Sequence, residues 1–140
     1  MFLFKTADRW MERDCACSGR NLEMDFDMAV ASHSQWKRKL RDYLAKHDGS
    51  LHPNEVSLDH NCALGDWIYG EGAMYSSLPE YTRLKYEHAR FHVAAAEIVR
   101  KANSGESATE EVQPCSNSEF SNASAAVIIA LMSMKKQLSQ

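Results

Sequence analysis

Apolar positions recur at steps of three and four through most of this chain. Phe26, Val30, His33, Trp36 or Lys37, Leu40 and Leu44 form one such stripe, with Arg38, Lys39, Arg41 and Asp42 facing away from it. The spacing predicts an amphipathic helix from about Asp25, ended by Asp48-Gly49-Ser50, with a loop at Pro53-Asn54. A shorter helix, capped by Ser57 or Asp59, is expected to carry Cys62, Trp67 and Ile68. Gly65, Gly70 and Gly72 weaken it by propensity, so close packing or a ligand must justify it. Ser77-Leu78-Pro79-Glu80 has the form of a capping box with an early proline. It precedes Tyr81, Leu84, His88, Phe91, His92, Ala95 and Ile98 at helical spacing. Asn103-Ser104-Gly105 stops that helix. Residues 104–117 are polar and read as a mobile loop. Ser118 caps a last helix with Phe120, Val127, Leu131, Met134 and Leu138 on its buried face. No alternation of the strand type and no internal repeat is present. The expected fold is all-α, an antiparallel four-helix bundle.

Composition narrows the classes of function. The chain has 140 residues, 44% hydrophobic and 25% charged, with a formal net charge of −3, which suits one soluble domain and argues against nucleic-acid binding. No apolar run reaches the roughly 20 residues of a membrane span, and Lys5 and Asp8 interrupt the apolar start, so neither membrane insertion nor a secretory signal is expected. A cytoplasmic location follows as the expectation. In a reducing compartment the four cysteines point to metal or redox chemistry rather than disulfides. Residues 1–24 show no sustained period beyond a helical turn around Arg9–Arg13 and form an N-terminal extension; residues 25–140 form the domain.

The candidate chemistry is His33, Cys62, His88 and His92. His88 and His92 are four apart, so a helix presents both imidazoles on one face. His33 and Cys62 each lie in a separate segment of apolar periodicity. One thiolate and three imidazoles complete a tetrahedral zinc shell, and a thiolate excludes hard ions such as Mg²⁺ or Ca²⁺. Each residue also has a plainer reading: His33 as a hydrogen-bonded core histidine, Cys62 as an inert buried thiol. A di-iron bundle would need Glu-x-x-His pairs, which the chain lacks. A zinc protease would need His-Glu-x-x-His, but Ala89 follows His88. His60, two residues before Cys62, could compete for the metal but is expected behind the ligands or toward solvent; His47 and His52 are expected toward solvent, and Cys15, Cys17 and Cys115 in irregular segments. Met28, Met74, Met132 and Met134 exceed what an evident core requires.

The stretch Asp59-His60-Asn61-Cys62-Ala63-Leu64-Gly65-Asp66-Trp67-Ile68-Tyr69-Gly70-Glu71-Gly72 resembles the central motif of the chemoreceptor zinc-binding (CZB) domains, Cys-x-Leu-Gly-x-Trp-x-Tyr. His33 with Trp36 resembles the family's His-x-x-Trp, and Glu87-His88-Ala89-Arg90-Phe91-His92 its His-x-x-x-His segment. Ser118 to Leu131 resembles its closing helix. The resemblance covers about residues 24–138. It implies a helical bundle, often a homodimer, whose zinc ligands map onto His33, Cys62, His88 and His92, with Trp67 and Tyr69 packing around the metal helix. It further implies a non-catalytic regulatory domain that senses zinc and signals to a chemoreceptor or diguanylate cyclase. Two alternatives share the site: a sensor of oxidants such as hypochlorous acid, with the zinc-bound cysteine as redox switch, and a purely structural zinc scaffold. The chain contains neither output module.

Overall fold

The computed structural model describes residues 24–46, 48–113 and 116–139. The expectations placed on Arg9–Arg13, Cys15, Cys17, His47 and Cys115 lie outside them. Among the described residues every regular element is helical and there is no strand.

Asp25 starts α1 (Phe26–Ser34) by accepting the Met28 N–H at 3.0 Å. Helix α2 (Trp36–Lys46) follows after Gln35 alone and buries Trp36, Leu40, Tyr43 and Leu44. The single helix expected here is therefore two, although hydrogen bonds still run across Gln35, from its N–H to Ala31 O and from Lys39 N–H to its carbonyl. His33 Nδ1 donates to the Ala29 carbonyl one turn back at 2.8 Å.

The largest departures from expectation come next. Pro53 does not mark a loop; it opens the short helix α3 (Pro53–Val56), where a proline at the first position loses no hydrogen bond. Ser57 ends that helix rather than capping the next. Asp59 begins a 3₁₀ turn (Asp59–Asn61), and Cys62 itself is the N-cap of α4 (Ala63–Tyr69). Two glycines explain how these pieces nest. A Cβ on Gly65 would lie 1.8 Å from the Asp59 carbonyl oxygen, and one on Gly72 would lie 2.7 Å from the Trp67 ring. A second 3₁₀ turn (Glu71–Tyr75) leads to the long α5 (Pro79–Asn103). The expected capping box does not form: Pro79 occupies the first helical position, which makes Leu78, not Ser77, the cap.

The described part of the polar connection after α5 is tied down. Its 3₁₀ turn (Thr109–Val112) buries Val112, with Ala108 buried just before it, while Lys101 pairs with Glu111 and Ser118 Oγ donates to the Glu111 carbonyl at 2.7 Å. Ser118 caps α6 (Glu119–Leu138) as expected, accepting the Ser121 N–H at 3.1 Å. Helix α6 packs on α5 and α1, and α5 also receives α2, α3 and the Asp59 turn. Phe91 is fully buried at this junction, with ring contacts to Trp36, His33 and Phe120.

Candidate metal centre

Two helices and one N-cap bring four side chains together. His33 comes from the end of α1, Cys62 from the start of α4, and His88 and His92 from adjacent turns of α5. All four are buried, and one ligand atom from each lies within 4.8 Å of the other three. Cys62 Sγ is 3.2 Å from His88 Nε2 and 3.6 Å from His92 Nε2, and those two nitrogens are 3.1 Å apart. For tetrahedral zinc, bond lengths of about 2.3 Å to sulfur and 2.0–2.1 Å to nitrogen put sulfur and nitrogen roughly 3.6 Å apart and two nitrogens roughly 3.3 Å apart. The spacing of these three atoms thus fits a zinc-sized ion within a few tenths of an ångström, with the His33 donor within 4.8 Å of each.

The outer nitrogens show which way each ring is turned. His33 Nδ1 donates to the Ala29 carbonyl at 2.8 Å, and His92 Nδ1 donates to the Val56 carbonyl at 2.9 Å. Both rings therefore direct a bare Nε2 into the cluster. His33 Nε2 is buried without a hydrogen-bond partner among the described residues. A buried acceptor without a donor, as at His33 Nε2, costs about 1–3 kcal/mol. A cation at the centre meets that need, and backbone or carboxylate partners on the outer nitrogen are the usual support of a metal-binding histidine. The short helix α3, which supplies Val56, carried no sequence signal of this role. Nor did Ala29, whose contribution is a backbone carbonyl.

Burial keeps the rings neutral. His33 is pushed down from 6.5 to about 4, chiefly by burial and next by the neighbouring His92. His88 falls well below its ordinary value, by burial and then by His92 and His33. His92 is lowered by burial, partly opposed by its bond to Val56. Unfolded histidines take up protons near pH 6.5, whereas these do so only at lower pH. Their contribution is thus complete above pH 6.5 and is lost as pH falls toward 4. For His33 the difference corresponds to roughly 3 kcal/mol. The metal-free chain is expected to lose melting temperature as pH falls from about 6.5 to about 4; thermal melts in chelator across that range check this, and a flat profile would contradict it.

Other candidates stand apart. His60 and His52 are exposed, as expected. Trp67 packs between Phe26 and Tyr75, ring centroids 5.5 and 6.1 Å away. Tyr69 is not packing: it is 47% exposed, and its hydroxyl donates to Asp59 Oδ2 at 2.7 Å.

Comparison with known proteins agrees with this geometry. Residues 33–99 match the family model of the chemoreceptor zinc-binding domain, a span that begins at His33 and includes the other three cluster residues. Comparisons with curated proteins and with solved structures gave no match. Domains of this family bind zinc, and the His33, Cys62, His88 and His92 cluster is able to hold a metal ion. Residues 33–99 are thus similar to the chemoreceptor zinc-binding domain.

Proposed function

We propose that this chain is a regulatory zinc-sensing domain in which His33, Cys62, His88 and His92 hold one zinc ion. The observation that carries the reading is the gathering of four buried side chains, one ligand atom from each within 4.8 Å of the other three. Zinc bound there supplies a cross-link between segments distant in sequence. The residues do the rest. His88 and His92 share the long α5, while Cys62 stands at the N-cap of α4, its carbonyl accepting the Asp66 N–H at 2.9 Å, at a junction that folds back through Gly65. Occupancy would thus be transmitted through the Cys62 junction, the less constrained side of the site.

Residues 25–140 form the domain on this reading, arranged as an antiparallel four-helix bundle with the metal between its helices, and residues 1–24 form an extension. No helix among the described residues is long and apolar enough to cross a membrane. A cytoplasmic signalling role beside a chemoreceptor or diguanylate cyclase is consistent with that. Exposed Ile129 and Met132 on α6 support a homodimer. Catalysis is not part of the proposal, since four protein donors leave no open metal position for water. Glu87, next to His88, has its carboxylate paired with Arg90 at 2.8 Å.

Burial favours zinc over an oxidant as the signal. Cys62 is 6% exposed, whereas Met74, at 76%, offers a far more accessible oxidisable sulfur. The purified chain is expected to hold one zinc by elemental analysis, to melt at a higher temperature with it, and to scatter light as a dimer of the 15.8 kDa chain. Equal melting temperatures with and without zinc would remove the claim that the metal organises the fold.

A further inference from the structure

His88 differs from the other two imidazoles. His33 and His92 each give their outer Nδ1–H to a backbone carbonyl. His88 Nδ1 is buried and has no hydrogen-bond partner among the described residues. The nearest charged group is a carboxylate: Asp59 Oδ2 stands 3.8 Å away, just beyond hydrogen-bonding range. That carboxylate is itself held. The Tyr69 hydroxyl donates to the same Oδ2 at 2.7 Å, and only 16% of the Asp59 side chain is exposed. The backbone around it is fixed too, because Gly65 lets α4 press directly against the Asp59 carbonyl. Tyr69 is pushed up to about 12, by partial burial and then by Asp59, so its phenol stays a donor at any physiological pH.

We infer that Asp59, braced by Tyr69, is a positioning residue for the metal site, accepting the His88 Nδ1–H when His88 Nε2 is bound to metal. The inference rests on the four-donor zinc reading above. Binding of a cation at Nε2 draws electron density from the ring and makes Nδ1–H a stronger donor, for which a carboxylate is the strongest acceptor in a protein. Asp59 is not a ligand itself, since it faces Nδ1 while Nε2 lies 3.2 Å from Cys62 Sγ. Its backbone carbonyl lies 3.8 Å from that same Sγ. Asp59 thus stands beside both His88 and Cys62, so displacement of its turn shifts the surroundings of two donors together.

Zinc affinity of the whole chain, measured by competition with a chromogenic chelator, tests this. Asp59→Asn keeps the size and an acceptor for Tyr69 but removes the charge; it is expected to weaken zinc binding about 10-fold or more. Tyr69→Phe is expected to weaken it less, and to add nothing in an Asp59→Ala background, because Tyr69 acts only through Asp59. Melting of the metal-free variants separates damage to the fold from damage to the site. Proton NMR of the zinc-loaded chain gives an independent signature: the His88 Nδ1–H resonance should move upfield in Asp59→Asn while that of His92 stays in place. Zinc binding by Asp59→Asn as tight as in the wild type would overturn the inference alone. So would an unmoved His88 resonance, or a Tyr69→Phe effect undiminished without Asp59. Failure of the wild-type chain to bind zinc would overturn both this inference and the reading beneath it.

Discussion

Gly65→Ala is expected to unfold the metal site although it adds a single methyl group. In most helices this exchange stabilises, by up to about 1 kcal/mol, because alanine has the higher helix propensity. Here the new Cβ would lie 1.8 Å from the Asp59 carbonyl oxygen and 2.8 Å from the His60 Cα, both of them backbone atoms that no rotamer change can move. Relief requires the turn Asp59–Asn61 to separate from α4, and Cys62 is the residue that joins them. Overpacking of this kind costs about 3 kcal/mol or more, so the clash outweighs the propensity gain. If that cost falls on the bound geometry, zinc affinity drops about 100-fold. Thermal melting and chelator competition on the variant measure both effects. A variant that melts and binds zinc like the wild type would show that α4 does not pack on the turn as described.

Much of the site was legible before any coordinates. His88 and His92 share a face because the helical period puts residues four apart together, and α5 is long enough for that period to be unmistakable. His33 stood out as a polar residue on an apolar stripe, and the glycines around Cys62 signalled close packing, as Gly65 and Gly72 bear out. What stayed hidden has physical reasons. Helix α3 spans four residues, too short for periodicity, and its Pro-Asn start is the usual mark of a loop. The supports at Ala29 and Val56 are backbone carbonyls, for which side-chain identity carries no signal. Asp59 and Tyr69 meet across ten positions through a 3₁₀ turn and a helix, an irregular path with no repeating pattern. Ala108 and Val112 anchor a segment whose composition is otherwise polar, so two apolar residues sufficed where a mobile loop was expected.

Replacing His88 and His92 together with alanine is expected to have the largest effect on metal binding. Both side chains are fully buried, and they supply two of the four proposed donors from one long helix. Their loss leaves His33 and Cys62, from separate segments, facing an empty space and the stranded Val56 carbonyl. Cys62→Ala is milder: three imidazoles remain on α1 and α5, and weakened binding with water as fourth ligand should persist. The double variant should also melt lower without metal, since truncating two buried rings leaves a cavity worth a few kcal/mol.

Titration with Co²⁺, which takes the same ligands as zinc and reports them by colour, tests the central claim most directly. The wild-type chain should saturate at one cobalt per chain, with a thiolate-to-cobalt charge-transfer band and the intense visible bands of a tetrahedral ion. The thiolate band should vanish in Cys62→Ala, and all bands in the His88→Ala/His92→Ala variant. A wild-type spectrum without the thiolate band, or one that survives intact in either variant, would contradict the assignment of His33, Cys62, His88 and His92 as the metal site.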